Sequence, residues 1–161
     1  MNVYLVGMPG SGKTAVGREL ARRTGLRFVD LDAAIEAASG MGVHEIFAAQ
    51  GEPGFRELER EALRRVSGGE ASVVACGGGI VLDRENRRLL RNTGTVVWLV
   101  APPERLRGRI RPGTRPLLQE DDDLDRLYAE REPLYRQVAD RVIDATASPG
   151  RVAGAIQRGM P

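Results

Sequence analysis

The chain has 161 residues, of which 42% are hydrophobic and 29% are charged, and its formal net charge is +2. This length and composition fit one globular unit with a buried core, and they exclude two large domains. The 24 basic residues comprise 23 arginines and one lysine, Lys13. Because the net charge is small and the arginines alternate with acidic residues, we do not expect a nucleic-acid partner.

Cysteine content and the N-terminal segment bear on the cellular compartment. The only cysteine, Cys76, excludes an internal disulfide and a multi-cysteine metal site, and it suits a reducing cytoplasm. The apolar stretch at the N-terminus runs into glycines after a few residues, so it predicts neither a signal peptide nor a membrane span. We therefore expect a cytoplasmic monomer without a membrane partner.

Short apolar segments alternate with longer segments of helical periodicity, which predicts an α/β fold with a mostly parallel sheet. The predicted strands are Val3 to Val6, Arg27 to Leu31, Ser72 to Cys76, Thr95 to Val100 and Arg141 to Asp144. The predicted helices are Thr14 to Arg23, Phe55 to Val66, Arg84 to Leu90 with Asp83 as its cap, Pro103 to Arg109, and Leu124 to Val138. Residues 109–123, rich in proline and charge, predict a long loop that is either a lid or a disordered connection.

Residues 7–14 read Gly-Met-Pro-Gly-Ser-Gly-Lys-Thr and match the P-loop pattern G-x-x-x-x-G-K-[ST]. The match lies between an apolar strand and a helix, which is the context that this phosphate-binding loop requires, so an ordinary glycine turn is disfavoured. In such a loop Lys13 reaches the β- and γ-phosphates and the Thr14 hydroxyl ligates Mg²⁺. The sequence therefore predicts a nucleotide-binding P-loop fold.

ATP is favoured over GTP because no lysine follows Lys13 to form a guanine-reading Asn-Lys-x-Asp motif. A protein-kinase site is excluded because the chain has no His-Arg-Asp motif.

The second predicted strand ends with Asp30-Leu31-Asp32, which contains two carboxylates. Residues two apart share one face of a strand, so both are expected at the carboxyl edge of the sheet, one near the metal and one near an acceptor hydroxyl. Capping of a following helix is the alternative for this pair.

Further along, Arg56 and Glu59 lie three residues apart, within pairing distance on one helix face, although a solvated ion pair would have the same spacing. Phe47 and Phe55 flank the turn before them and fit either a ligand site or a small core cluster. Gly77, Gly78 and Gly79 follow the third strand, where they suit either close approach to a ligand or a plain turn. Cys76 is expected to be buried, and His44 is expected on a helix surface.

The order of these motifs resembles shikimate kinase over essentially the whole chain. The resemblance rests on GMPGSGKT, Asp-Leu-Asp at 30–32, EIFxxxGExxFRxxE at 45–59, GGG at 77–79, Arg-Pro-Leu-Leu at 115–118 and Arg-Glu-Pro-Leu-Tyr at 131–135. It implies a three-layer P-loop fold similar to nucleoside monophosphate kinases, with a five-stranded parallel sheet flanked by helices. It also implies one domain over residues 1–161, a helical substrate-binding segment at about 32–60 and a lid at about 109–123.

On the nucleotide side, the resemblance implies ATP-binding roles for Gly10, Ser11, Gly12, Lys13, Thr14, Arg109, Arg115 and Pro149. Thr14 and, through water, Asp30 would hold Mg²⁺. Arg115 would reach the phosphates as the lid closes, Arg109 would lie against adenine, and Pro149 would sit in an adenine-side turn. The catalytic residues would be Asp32, Lys13 and Arg115.

On the acceptor side, the resemblance implies shikimate-binding roles for Asp32, Phe47, Phe55, Arg56, Glu59, Gly78, Gly79 and Arg131. Arg56 and Arg131 would clamp the carboxylate, since planar guanidinium forks match that group. Asp32 would act on the hydroxyls as a base or an orienting group. The implied reaction is phosphorylation of the 3-hydroxyl of shikimate by ATP. Another small P-loop kinase, acting on gluconate or a nucleoside monophosphate, and a nucleotide-binding module without catalysis are the alternatives.

Overall fold

A computed structural model describes residues 1–110, 116–117 and 123–161. Most of the predicted lid at 109–123, including Arg115, lies outside these residues.

The sheet has five parallel strands: β1 (Asn2–Val6), β2 (Arg27–Asp30), β3 (Ser72–Ala75), β4 (Gly94–Val100) and β5 (Arg141–Asp144). Their spatial order is β2-β3-β1-β4-β5, and every neighbouring pair is parallel. The order along the chain reverses direction at β1, so a crevice opens at the carboxyl ends of β1 and β3. The predicted five-stranded parallel sheet flanked by helices is confirmed.

The helices are α1 (Lys13–Thr24), α2 (Leu31–Ser39), α3 (Val43–Ser67), α4 (Arg84–Thr93), α5 (Pro103–Arg107), α6 (Asp123–Val138) and α7 (Pro149–Arg158). A short 3₁₀ turn, Ile80–Leu82, follows β3. No helix in the described ranges is long and apolar enough to cross a membrane.

The two faces of the sheet bury different sets of helices. On β1, Val3 and Leu5 point to one face and pack with α1 and α7, whereas Tyr4 and Val6 point to the other and pack with α3, α4 and α6. This alternation follows from the two-residue period of a strand. The three layers hold the carboxyl ends of the strands in fixed register beneath the loops that follow them.

The prediction that Asp32 lies on a strand is wrong. Asp30 ends β2 and caps α2, because its side chain accepts a hydrogen bond from the Ala33 amide at 3.3 Å. Asp32 therefore lies in the first turn of α2, and Leu31 turns into the core instead of extending the strand. A carboxylate at the N-cap accepts a hydrogen bond from a backbone amide in the first turn of the helix, which a continued strand would not provide. The cap therefore favours a helix after Asp30.

The prediction of a turn at Pro149 is also wrong, since Pro149 is the first residue of α7, after the Ser148 cap. Helix α3 contains the predicted helix Phe55 to Val66 but begins earlier, at Val43. Gly51 has φ 70° and ψ −177°, so the helix is kinked there.

We predict that Asp83→Ala lowers the free energy of unfolding by about 1–2 kcal/mol. Asp83 caps α4 by accepting from the Glu85 amide at 2.7 Å, and it also binds Arg60 of α3 at 2.7 Å. Equilibrium urea unfolding at pH 7 measures the change. The matched control is Glu85→Ala in the same turn, which removes an exposed 3.5 Å ion pair and should change stability by less than about 0.5 kcal/mol.

The Asp83 effect should depend on pH. Partial burial raises the pKa of Asp83, but hydrogen bonds from Arg60 and from the Asn86 and Glu85 amides outweigh it, and the net pKa is lowered. The stabilisation is therefore complete above the ordinary value of 3.8 and is lost as the pH falls below it through the folded-state pKa. A stability gap between wild type and Asp83→Ala that persists undiminished at pH 2 would contradict this assignment.

Candidate active site

The loop between β1 and α1 has the backbone of a phosphate cradle. Gly7, Gly10 and Gly12 have φ values of 150°, 81° and 93°, which side chains other than glycine rarely allow. Lys13 folds over the loop and donates from Nζ to the carbonyl oxygens of Gly7 at 2.8 Å and Met8 at 2.9 Å. Ser11 is buried beneath the loop, and within the described ranges its hydroxyl has no hydrogen-bond partner. The loop is thus preformed, with the positive end of α1 behind it.

Thr14 and Asp30 form an oxygen pair beside this loop. The Thr14 hydroxyl donates to Asp30 Oδ2 at 3.1 Å, and Asp30 keeps its other oxygen on the α2 cap. A hydroxyl and a carboxylate are hard donors of the kind Mg²⁺ accepts, and Mg²⁺ retains water and phosphate oxygens in its remaining positions. The residues present therefore fit a Mg²⁺ ion bound together with phosphates. No group of three His, Cys, Asp or Glu residues that could hold a metal alone occurs in the described part of the chain.

A cavity of about 690 Å³ opens above the phosphate loop. This volume lies in the range of small-molecule sites. Its lining brings together these predicted site residues: Gly10, Gly12, Lys13, Thr14, Asp30, Asp32, Gly78 and Arg109.

The three ATP-binding residues predicted outside the phosphate loop, Arg109, Pro149 and Arg115, have different outcomes. Arg109 is exposed at the cavity rim, where it donates to the carbonyl oxygens of Gly10 and Ala145, each at 3.4 Å. Pro149 starts α7 beyond Ala145 and is not among the residues that line the cavity. Arg115 lies outside the described residues.

A second, smaller cavity of about 70 Å³ adjoins the first and shares Asp32 and Gly78 with it. It brings together these predicted residues: Asp32, Phe47, Phe55, Arg56, Glu59, Gly78, Gly79 and Arg131. Pro116 and Leu117 line its other side. The two cavities therefore form one crevice that narrows from the phosphate loop toward the arginines, with Asp32 at the junction.

Arg56 and Glu59 form a buried ion pair. Arg56 Nη1 lies 2.9 Å from Glu59 Oε1, and the two side chains are only 14% and 1% exposed. The alternative of a solvated pair is therefore wrong. Glu52, which is 44% exposed, binds the other edge of the Arg56 guanidinium at 3.4 Å. Arg56 Cζ lies 5.3 Å from the Phe55 ring centroid, and the ring centroids of Phe55 and Phe47 are 4.9 Å apart. The two phenylalanines therefore pack together and also line the cavity.

Burial dominates the electrostatics of Glu59. Desolvation raises the pKa of its carboxyl group, against the opposing effect of Arg56 and Arg131, and Asp32 raises it further. Within the described ranges Glu59 Oε2 and Arg131 Nε have no hydrogen-bond partner, although both residues line the small cavity. Buried polar atoms are almost always satisfied in proteins, so this pair of open groups indicates a polar ligand.

The three glycines after β3 allow charged side chains to approach the backbone closely. A Cβ at Gly79 would clash with the Arg56 guanidinium as it lies, one at Gly78 would meet Arg131 Nη1 at 3.1 Å, and one at Gly77 would meet Glu59 Oε2 at 3.0 Å. The charged side chains thus pack directly against a bare backbone, which a flexible turn would not need. Gly77, a candidate for close approach in the sequence analysis to which the resemblance gives no binding role, lines both cavities.

Helix α6 supplies Arg131 and, one turn later, Tyr135. Arg131 is 3% exposed and Tyr135 is fully buried. The Tyr135 hydroxyl donates to the Gly78 carbonyl oxygen. Our sequence prediction assigns no role to this tyrosine, and the available signal was the four-residue spacing that places it on the same helix face as Arg131.

Comparison with known proteins identifies the family. The shikimate kinase family model matches residues 9–160. The chain belongs to the shikimate kinase family. It is 52% identical over 145 residues to the shikimate kinase of Symbiobacterium thermophilum, covering 86% of this chain and 83% of that protein.

Solved structures of the family agree with this assignment. Shikimate kinase from Acinetobacter baumannii in complex with shikimate has a TM-score of 0.94 and 40% identity, covering 98% of this chain and 90% of that one. Shikimate kinase from Aquifex aeolicus has a TM-score of 0.88 and 32% identity, covering 98% and 95%.

We predict that the Cys76 thiol reacts slowly in the folded protein. Cys76 lines the larger cavity at the end of β3 but is only 2% exposed, and burial raises the pKa of its thiol. Labelling with Ellman's reagent at pH 8 should be at least about 100-fold slower in the native chain than in guanidinium chloride, where one thiol per chain should react. Cys76→Ser provides the blank. Labelling at the same rate in both states would show that the end of β3 is open to solvent.

Proposed function

We propose that this protein transfers the γ-phosphoryl group of ATP to the 3-hydroxyl of shikimate, giving shikimate 3-phosphate and ADP on the route to chorismate and aromatic amino acids. The observation that carries the proposal is the junction of the two cavities at Asp32. Asp32 lines both the cavity at the phosphate loop and the cavity at the two arginines, so its carboxylate would lie between a nucleotide and a small acid. An enzyme that only hydrolysed ATP would not need the arginine-lined pocket.

On the nucleotide side, the backbone of Gly10, Ser11 and Gly12 would surround the phosphates, and Lys13 would leave its carbonyl partners for the β- and γ-oxygens. Thr14 and, through water, Asp30 would hold Mg²⁺, which when bound offsets the charge of the phosphates. Arg109, at the cavity rim, would be within reach of the nucleotide. The phosphate contact of Arg115 and the adenine contact of Pro149 stay predictions.

On the acceptor side, Arg56 and Arg131 would bind the shikimate carboxylate, and the backbone of Gly78 and Gly79 would meet ring hydroxyls. Phe47 and Phe55 would pack against the ring, and Glu59 would hold Arg56 in place through their 2.9 Å contact. A guanidinium that already has a fixed partner loses little freedom on binding, which favours affinity.

The reaction is proposed to be an in-line displacement. The 3-hydroxyl oxygen forms a bond to the γ-phosphorus while the bond from that phosphorus to the β,γ-bridging oxygen breaks, and ADP leaves. Asp32, at the junction, would accept the hydroxyl proton or orient the hydroxyl by accepting its hydrogen bond. Lys13 would stabilise charge on the transferred group, so catalysis consists mainly of positioning and electrostatic stabilisation. We further propose that residues 1–161 act as one domain, in the cytoplasm, as a monomer.

The proposal is tested by an acceptor panel. Release of ADP is followed with ATP and Mg²⁺ and either shikimate, gluconate or AMP at equal concentrations. We expect turnover with shikimate to exceed turnover with the other acceptors by at least about 100-fold, because a carboxylate pocket with several hydroxyl contacts rejects analogues that leave its buried groups unpaired. Turnover of gluconate or AMP without turnover of shikimate would reject the proposal, and ATP binding with no transfer would favour a non-catalytic module.

We predict that Asp32→Asn lowers kcat by at least about 100-fold while the KM for ATP changes by less than about threefold. The amide preserves size and one acceptor oxygen but cannot take a proton. The matched control is Glu36→Gln, one turn along α2 at the same cavity, which should leave kcat within about twofold. Full turnover in Asp32→Asn would remove the base role and leave only orientation.

A further inference from the structure

A buried tyrosine to which the proposed function assigns no role lies behind the acceptor pocket. Tyr135 is fully buried and lies directly behind the pocket, between α6 and the glycine turn after β3. Its ring stacks on Trp98 with centroids 5.8 Å apart, which would fix the ring without any hydroxyl group. A phenylalanine would pack equally well there, so the presence of a hydroxyl requires a separate reason.

That hydroxyl connects two parts of the site. It donates to the Gly78 carbonyl oxygen and lies 3.8 Å from Met8 Sδ in the phosphate loop. Burial raises the pKa of Tyr135 to about 12, against the opposing effect of the Arg131 charge. At neutral pH the group is therefore a neutral hydroxyl that donates to Gly78.

The contact with Gly78 also determines the direction of the next amide. The carbonyl of Gly78 and the N–H of Gly79 belong to one planar trans peptide, so they point in opposite directions. With its carbonyl held by Tyr135, this peptide directs the Gly79 N–H away from α6. Within the described ranges the Gly79 N–H donates no hydrogen bond, and Gly79 itself lines the small cavity.

The side chain of Arg131, like the Gly78–Gly79 peptide, has to be held in one orientation. Its side chain is buried, its Nη1 lies against Gly78, and within the described ranges its Nε has no partner. A long side chain without a fixed partner would lose several rotatable bonds of freedom each time it received a ligand. Arg131 Nη1 packs against Gly78, so the Tyr135 hydrogen bond that fixes Gly78 also limits where the guanidinium can lie.

We propose that Tyr135 is a positioning residue for the acceptor: its hydroxyl holds the Gly78–Gly79 peptide, and through Gly78 the adjoining Arg131 guanidinium, in the orientation that receives a hydroxyl and the carboxylate of shikimate. This inference rests on the proposed function. Because Tyr135 contacts the acceptor side of the crevice and reaches the phosphate loop only through Met8, its removal should affect shikimate far more than ATP.

The test compares Tyr135→Phe with Tyr128→Phe. The second variant removes a hydroxyl from the same helix at a half-buried position beside Trp98 and outside both cavities. We expect Tyr135→Phe to raise the KM and the calorimetric Kd for shikimate about tenfold, with the KM for ATP within about twofold. Tyr128→Phe should leave all three within about twofold. A merely structural role would instead lower the melting temperature and the active fraction, with both KM values unchanged, and that result would overturn the proposal.

A double-mutant cycle with Arg131→Lys tests the coupling. If Tyr135 acts through Arg131, the effect of Tyr135→Phe on the Kd for shikimate should shrink from about tenfold to about threefold or less in the Arg131→Lys background. Independent, multiplicative effects would contradict the proposed link.

A measurement on the intact chain covers the case in which Tyr135→Phe fails to fold. The chain has three tyrosines, so biosynthetic 3-fluorotyrosine gives three ¹⁹F resonances, which Tyr4→Phe and Tyr128→Phe assign by elimination. The resonance of residue 135 should shift on saturation with shikimate and shift less with ATP. If the wild type turns over shikimate but this resonance does not change, the inference is rejected. If the wild type does not turn over shikimate, the proposed function itself is rejected.

Discussion

Four ionisable side chains share one small buried volume at the end of β3, and their mutual compensation makes the acceptor pocket possible. Two are acids, Asp32 and Glu59, and two are arginines, Arg56 and Arg131. A single buried charge in this position would be prohibitively costly, and removal of one partner would leave the others uncompensated. The bare backbone of the glycine turn lets the four groups approach each other, so the three glycines and the four charges have to be considered together.

This compensation explains how the site can be both preformed and receptive. Glu59 is buried and holds one edge of Arg56, while the half-exposed Glu52 lies at the other edge at 3.4 Å. Interactions near solvent are weak, so under the proposed function an arriving carboxylate would displace Glu52 at little cost, whereas the buried Glu59 would remain in place. One carboxylate would then replace another at the Arg56 guanidinium, which would limit the entropy lost on binding.

Much of the fold could be predicted from the sequence, because apolar strands and a phosphate-loop motif have strong local patterns. The errors arose where two local patterns compete. Asp30, Leu31 and Asp32 alternate as a strand would, yet the capping bond of Asp30 starts a helix. The resemblance implies a turn at Pro149, yet Ser148 caps a helix that begins at Pro149 and whose Val152 and Ile156 pack into the core. Sequence spacing also does not report burial. The spacing of Arg56 and Glu59 is the same in an exposed pair, and no local signal reveals that Tyr135 lies behind the pocket.

The extreme arginine bias of the composition has a practical consequence through Lys13. Because the chain has one lysine, its only side-chain primary amine lies in the phosphate loop, within 3 Å of two backbone carbonyls. Reagents that acylate amines but not guanidinium groups can therefore modify just two places, the N-terminus and the nucleotide site. The stoichiometry of such labelling, with and without a bound nucleotide, reports occupancy of the loop directly and requires no engineered probe.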